Sequence, residues 1–525
     1  MNNLGFQYNL DMNEDKISGF LVVFFGFFLL LSCSNKNGDK DQLPNIIYFL
    51  ADDLGYGDVG IYGQEKIQTP NIDELARNGM LFTNHYSGAP VCAPARSVLL
   101  TGQHMGHTPI RGNDEWSERG DVWNYKKVAD NIKLEGQRPL PKETVTIGNL
   151  LQKQGYKTSI FGKWGLGAPE TEGVPTKQGF NYFYGYNCQR QAHNLYPLHL
   201  WENEKKVFLA NDVLAWGTKL DSLANPNDSK SYKKYQQNEY APEMIHQKAL
   251  KFLEENKSHP FFMYYTSPLP HVPLQAPIEY VEKYKKIFGE EVPYIGDRGY
   301  FPNQHPRATY AAMISYLDEQ LGDLILKLKD LGLYENTLII FSSDNGPTYN
   351  GGVDPEFFNS AKPFKSEYGR TKGYLYEGGI RVPMIASWPN HIQSKTKSEH
   401  ISVFYDVLPT ICDIVGIDNP KGIDGISFKS ELLSEKQKEH EFLYWEFSSY
   451  NGQQAVRMGK WKGIRQNIFD GNMHIELYNL EMDIKEENDV SNQYPNVVLK
   501  IRNIMKQEHK PSKNKKFIFK QLGDN

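Results

Sequence analysis

The stretch NIIYFLADD, residues 45–53, is an apolar run of strand length that ends in two carboxylates. Comparable runs recur as KTSIFGKWG (157–165), PFFMYYTSPLPH (260–271) and TLIIFSSDNG (337–346), and segments of helical periodicity separate them. A strand that is apolar throughout needs cover on both faces of its sheet. The sequence therefore predicts an α/β fold in which helices flank a mostly parallel sheet.

The rest of the chain adds one clear helix and a second, smaller unit. Leucines recur at steps of three and four between Arg307 and Leu333, which predicts an amphipathic helix. After Glu439, short segments of strand character followed by the helical NVVLKIRNIMKQ predict a small antiparallel sheet with one helix. We place the α/β domain at 44–420 and an α+β subdomain at 421–525. The polar stretch 111–142 is predicted to be a surface insertion near the functional site.

Composition excludes some partners. The 525 residues carry a formal net charge of -5, so no global field would recruit nucleic acid or an anionic membrane surface. We expect no nucleic-acid partner. Aromatic residues make up 13% of the chain and could stack on sugar rings, although core packing is their more common use.

The apolar run ISGFLVVFFGFFLLLSCS, residues 17–34, is typical of a signal peptide. A small residue directly before Cys33 resembles the bacterial lipobox, in which the cysteine is acylated. We predict a lipoprotein signal over 1–32, starting at Met1 or Met12, and a polar tether over 33–43. A plain cleaved signal or an uncleaved anchor is the alternative. The protein is expected in the periplasm or at the outer membrane or cell surface, touching the membrane only through its lipid.

One cysteine stands out from the other three. Cys92, Cys188 and Cys412 are too few and too far apart to form a disulfide framework. Cys92 precedes Pro94 and Arg96, and Pro94 is compatible with the first turn of a helix, whose positive end attracts anions. A free cysteine is usually a small buried hydrophobe. The position of Cys92 beside Pro94 and Arg96, in a protein expected to be exported, indicates a chemical role instead.

Reactive side chains follow four of the predicted strands. They are Asp52, Asp53, Lys163, His271, Asp344 and Asn345. The carboxyl ends of parallel strands meet at one edge of a sheet, so these side chains are expected to share one crevice. Asp52, Asp53, Asp344 and Asn345 would offer only oxygen atoms, three of them carboxylates, which suits a hard divalent cation, and calcium better than magnesium.

These motifs resemble the sulfatase family. Its signature stands here as Cys92, Ala93, Pro94, Ala95 and Arg96, followed by Thr101 and Gly102, and GKWGLG, PLPHVP and TKGYLYEGGIRVP follow in family order. The resemblance implies an alkaline-phosphatase-like fold and a formylglycine nucleophile that a maturation enzyme makes from Cys92. It also implies roles for the other residues: Asp52, Asp53, Asp344, Asn345 and residue 92 as calcium ligands, Arg96 as support for the nucleophile, Lys163 and Lys372 as sulfate ligands, and His271 as the proton donor to the leaving oxygen.

The activity implied by the resemblance is hydrolysis of a sulfate ester, with a sulfated carbohydrate as the expected substrate. A phosphatase or phosphonate hydrolase of the same fold is the alternative among enzymes. A surface glycan-binding lipoprotein without catalysis is the alternative outside enzymes. The number of subunits is left open.

The chain departs from the family at Gly165, where many relatives carry histidine. The loop NCQRQAHNLYPLHLWEN offers His193, His199 and Trp201 as residues that could hold the substrate. We predict that His193 takes the place of the missing imidazole in space.

Overall fold

The computed structural model describes residues 43–525, and residues 44–525 form one compact unit. The strands are β1 (Asn45–Ala51), β2 (Met80–Phe82), β3 (His85–Tyr86), β4 (Lys157–Lys163), β5 (Tyr182–Tyr186), β6 (His199–Glu202), β7 (Lys205–Phe208), β8 (Phe261–Thr266), β9 (Thr337–Ser343), β10 (Met384–Ser387), β11 (Thr396–Ser398), β12 (Ser402–Val403), β13 (Leu443–Phe447), β14 (Gln453–Met458), β15 (Trp461–Arg465) and β16 (Glu476–Asn479). The helices are α1 (Pro70–Arg77), α2 (Cys92–Thr101), α3 (Tyr125–Asp130), α4 (Ile147–Lys153), α5 (Ala241–Asn256), α6 (Ile278–Phe288), α7 (Pro306–Asp330), α8 (Pro355–Phe358), α9 (Glu377–Ile380), α10 (Val407–Val415), α11 (Lys429–Leu432) and α12 (Pro495–Glu508).

A ten-stranded sheet forms the centre, in the order β11-β2-β10-β9-β1-β8-β4-β5-β6-β7. The five adjacent strands from β9 to β5 are parallel, whereas β10, β6 and β7 run antiparallel to their neighbours. Every residue of β1, β8 and β9 is buried. This confirms the predicted α/β class, because strands that are apolar on both faces lie where helices cover both faces.

Helix α7 confirms the amphipathic helix that the leucine spacing predicts. Four leucines are buried on its inner side: Leu317, Leu321, Leu324 and Leu328. The helix ends at Asp330, so Leu331 lies just beyond it.

The C-terminal region forms the predicted antiparallel sheet, in the order β13-β14-β15-β16. Helix α12 packs on it through Ile501 and Met505, which contact Tyr444 and Val456 in a buried apolar cluster. The sheet begins at Leu443, about twenty residues after the predicted boundary at 421. Gln453 Nε2 donates to the Gly373 carbonyl at 2.8 Å, so this sheet reaches the edge of the functional site.

The predicted signal peptide, Cys33 and the tether up to residue 42 lie outside the described residues, so lipidation and export stay predictions. Within residues 43–525, no helix combines the length and the apolar character needed to cross a membrane.

Candidate active site

The reactive side chains lie at the carboxyl ends of four adjacent parallel strands. Asp52 and Asp53 follow β1, the Asp344–Asn345 pair follows β9, Lys163 ends β4, and His271 lies five residues beyond β8. All of them are buried. The sheet therefore brings these residues to one crevice, as the strand order β9-β1-β8-β4 requires.

Cys92 is the first residue of helix α2 and is 1% exposed. Its Sγ lies 3.3 Å from Asp52 Oδ1 and 3.6 Å from Lys372 Nζ. Burial and the Asp52 carboxylate raise the pKa of the Cys92 thiol above its usual value. An unmodified thiol at this position is therefore neutral and a weak nucleophile.

Arg96 lies one helical turn beyond Cys92, on the same face of α2. Its Nη2 donates to Asp52 at 3.2 Å and to Asp344 at 3.0 Å, and its Nη1 donates to the Lys163 carbonyl. The guanidinium thus ties α2 to the ends of three strands. Its fork of donors suits this bridging better than a single ammonium would.

Two lysines and a histidine complete the cluster. Lys163 Nζ lies 2.5 Å from Asp52 Oδ2, and Lys372 Nζ lies 2.6 Å from Asp53 Oδ1. His271 Nε2 lies 3.6 Å from Asp53 Oδ2. His271 Nδ1 carries a proton, because it donates to a carbonyl oxygen, that of Val272, at 2.5 Å. Nε2 is therefore the nitrogen that faces the reaction centre.

The three aspartates repel one another in this buried place. Burial and the Asp52 carboxylate raise the pKa of Asp344 to about 7. Burial also raises the pKa of Asp53, despite the adjacent Lys372. Although burial opposes its charge, Lys163, together with His271 and Arg96, holds the pKa of Asp52 well below its usual range. A dication among these carboxylates would offset the repulsion.

One orphaned atom supports a cation at this place. Asn345 Oδ1 is buried and has no hydrogen-bond partner among residues 43–525, while its Nδ2 donates to Asp53 Oδ1 at 2.8 Å. The set of Asp52, Asp53, Asp344 and Asn345 offers carboxylate and amide oxygens, the ligands that calcium takes in irregular geometry. The donor chemistry of these residues thus fits a calcium ion, and Asp52 and Asp53 also belong to a cluster with Cys92 and His271 whose ligand atoms lie within 4.8 Å of one another.

Asp53 has a feature that the sequence did not reveal. Its φ is +65°, in the left-handed region that aspartate enters more readily than most residues. Its backbone N–H donates to Asp344 Oδ1 at 3.1 Å, which joins the turn after β1 to the turn after β9. The turn directs the Asp53 carboxylate toward Lys372 and His271.

The backbone conformation at Gly165 favours glycine over a residue with a side chain. Its φ is +79°, and a Cβ there would lie 3.0 Å from Gln189 Oε1. His193 lies instead against His271, with parallel rings whose centroids are 5.4 Å apart. The predicted substitute for the family histidine is therefore adjacent to the reaction centre, and its role stays a prediction.

His199 and Trp201 are placed differently from His193. His199 Nε2 lies 3.0 Å from Glu135 Oε2, and Trp201 Nε1 donates to Glu135 Oε1 at 2.6 Å. Both side chains are held in the interior by this carboxylate, so these contacts do not support their predicted role in holding the substrate.

Sequence reasoning missed the aromatic residues around His193. Trp123, Trp216 and Tyr300 all contact its ring. Trp123 belongs to the polar insertion 111–142, which does lie beside the site as predicted. The signal that the sequence offered for this aromatic group was Trp123, a tryptophan in a loop without periodicity.

Residues 44–417 match the sulfatase family, and residues 367–513 match the C-terminal region of N-sulphoglucosamine sulphohydrolase. Together with the alkaline-phosphatase-like fold and a buried Cys92 surrounded by carboxylates and cations, this match defines a sulfuric ester hydrolase. The chain belongs to the sulfatase family.

Known relatives agree with this assignment. Human arylsulfatase A is 31% identical over 80% of this chain and 74% of its own length. N-acetylgalactosamine-6-O-sulfatase of Bacteroides thetaiotaomicron is 27% identical over 93% of this chain and 98% of its own. The crystal structure of Ps i-CgsB matches with a TM-score of 0.69 at 27% identity, over 89% of this chain and 94% of that one. The predicted family, fold class and enzyme class are confirmed.

Proposed function

We propose that this sulfatase removes sulfate from a carbohydrate, using formylglycine made from Cys92 and a bound calcium ion. The observation that carries the proposal is the position of Cys92 at the start of α2, between Asp52 and Lys372. Relatives named N-acetylgalactosamine-6-sulfatase support a carbohydrate substrate, as does the structure of Ps i-CgsB in complex with k-i-k-neocarrahexaose. With the predicted export signal and lipid-modified Cys33, the enzyme would act on glycans outside the cytoplasm.

A modified residue 92 would supply the nucleophile. The neutral Cys92 thiol is poorly suited to attack sulfur and to bind calcium, which prefers oxygen. Formylglycine supplies, as its aldehyde hydrate, an oxygen nucleophile at this position. Because Cys92 is 1% exposed in the folded chain, the maturation enzyme must reach it before folding is complete.

Calcium would be held by Asp52, Asp53, Asp344 and Asn345, and it would supply positive charge next to the substrate sulfate. Lys163 and Lys372 would bind the sulfate oxygens. The Lys163 ammonium group lies beside the Asp52 carboxylate, and the Lys372 ammonium group lies beside the Cys92 Sγ. Arg96 would keep Asp52 and Asp344 in place. These positive charges would be in place before the substrate binds, so they would not have to be reorganised during the reaction.

His271 would move the proton to the leaving group. Its Nδ1 is fixed by the Val272 carbonyl, so a second proton can be held only at Nε2, which faces Asp53. From Nε2 the proton would pass to the ester oxygen as the bond to sulfur breaks. Burial and the neighbouring lysines lower the pKa of His271, which favours release of the proton from Nε2 and at the same time disfavours the protonated form, so the anionic substrate would have to favour protonation.

Mass spectrometry and an assay together test the proposal. We expect the peptide containing residue 92, from protein made in its native host, to have the mass of the aldehyde instead of the thiol. The same protein should release sulfate from a panel of sulfated saccharides that includes 6-sulfated N-acetylgalactosamine. Active enzyme whose residue 92 is entirely thiol would exclude the formylglycine mechanism, and active-site aldehyde without sulfate release from any saccharide would exclude the substrate class.

Replacing His193 tests its predicted role beside His271. His193 Nδ1 is buried and has no hydrogen-bond partner in the described part of the chain, so it is available to the ester oxygen or a neighbouring hydroxyl. General acid assistance is worth ~10² to 10⁴ in rate, and an activated aryl leaving group needs little of it. His193→Ala should therefore slow hydrolysis of a sulfated sugar far more than hydrolysis of nitrophenyl sulfate. Equal losses on the two substrates would indicate a structural or sulfate-binding role instead.

A further inference from the structure

A wall of aromatic side chains begins at His271 and extends to the surface. The Tyr300 ring contacts both His193 and His271, with centroids 5.0 Å and 5.9 Å apart. Trp216 lies 5.7 Å from Tyr300, and Trp123 lies 5.4 Å from Trp216. Trp123 is 42% exposed. We call Trp123, Trp216 and Tyr300 the tryptophan wall.

A second wall begins beside Lys372. Gly373 follows this lysine with a φ of +90°, and a Cβ there would lie 2.7 Å from Tyr450 Cζ, so the tyrosine ring lies directly against this backbone. Tyr374 lies 5.3 Å from Tyr450 and 6.1 Å from Tyr368. Tyr450 is 46% exposed and Tyr368 is 71% exposed. We call Tyr368, Tyr374 and Tyr450 the tyrosine wall.

The two walls meet at the reaction centre. His271, where the tryptophan wall begins, and Lys372, where the tyrosine wall begins, both lie beside the carboxylate of Asp53. A group attached to a sulfate between Lys372 and His271 would therefore lie next to the start of both walls.

Core packing does not account for the outer members of the walls. Trp123, Tyr368 and Tyr450 keep 42%, 71% and 46% of their surface exposed, and a contiguous exposed patch at a site indicates a ligand. A polar atom beside the tryptophan wall is also unsatisfied: His193 Nδ1, on the ring that all three wall residues contact, is buried and has no hydrogen-bond partner within residues 43–525. Aromatic faces beside an unpaired polar atom suit a sugar ring, which presents C–H faces and hydroxyl edges.

We propose that each wall stacks on one sugar ring of the substrate, so that the enzyme acts on sulfated oligosaccharides. The tryptophan wall holds the ring that carries the sulfate, and the tyrosine wall holds the neighbouring ring. This inference rests on the proposed function and adds to it a preference for substrates with more than one sugar unit.

The test compares chain lengths in two wall variants. Sulfate release is measured from a sulfated monosaccharide and from an oligosaccharide that contains the same sulfated unit. The variants Trp123→Ala and Tyr368→Ala remove the most exposed member of each wall, and Phe208→Ala, an aromatic residue that is 65% exposed outside both walls, is the control.

We expect Tyr368→Ala to lower kcat/KM for the oligosaccharide by about 3- to 10-fold, mainly through KM, and to leave the monosaccharide unchanged. Trp123→Ala should lower kcat/KM for both substrates by a similar factor, and Phe208→Ala should match the wild type. If the wild type cleaves both substrates equally well and the wall variants behave like Phe208→Ala, the walls hold no sugar while the proposed function stands. If the wild type releases sulfate from no saccharide, the proposed function fails and this inference fails with it.

Discussion

Cys92→Ala should abolish sulfate release, with a loss of about 10⁴-fold or more, because it removes the side chain from which the nucleophile is made. The fold should persist, since a small side chain replaces another small one whose Sγ contacts polar groups of the site. Sulfate release and the thermal unfolding midpoint, measured on the same preparation, separate loss of chemistry from loss of structure.

The chain offers matched controls for this variant. Cys188 and Cys412 are also free and buried, and neither contacts the Asp52–Lys372 cluster. Cys188→Ala and Cys412→Ala should therefore keep most of the activity. If Cys92→Ala retains sulfate release while folded, residue 92 is not the source of the nucleophile.

Asp344→Ala should lower sulfate release by about 10³-fold and leave the purified protein without its metal. The substitution removes a charged ligand and one of the two carboxylates that Arg96 holds, and Asp52 and Asp53 still repel each other. Asp344→Asn keeps an oxygen at this position but not the charge, so we expect an intermediate result. Elemental analysis gives the calcium content per chain, and the sulfate assay gives the rate.

Asp354→Ala is the matched control, because Asp354 pairs with Arg307 at 2.7 Å in an ion pair outside the cluster. It should keep both metal and activity. One calcium ion per chain together with full activity in Asp344→Ala would contradict the assigned ligands. Active wild-type protein that contains no calcium would contradict the choice of metal.

Much of this molecule follows from local patterns in the sequence. Apolar runs such as 45–51 and 337–343 predict buried parallel strands, because side chains that are apolar on both faces must be covered on both faces. The residues at the ends of these strands then meet at one edge whatever the loops do. The signature around Cys92 and Arg96, together with the acidic pairs and the motifs GKWGLG, PLPHVP and TKGYLYEGGIRVP, indicated the family, because each motif is a short local pattern.

Only the tertiary structure decided which side chains contact one another in the crevice. Lys372 reaches Asp53 across 319 residues of sequence, and no periodicity links them. His193 approaches His271, and Trp123 and Tyr300 approach His193, through loops whose paths depend on packing against the whole sheet. The sequence by itself determined the fold and the reactive set, because both depend on local spacing and on strand direction. The tertiary structure alone decided the contacts between distant side chains of the crevice and the positions of Trp123, Trp216 and Tyr300, because long-range contacts of loops leave no pattern along the chain.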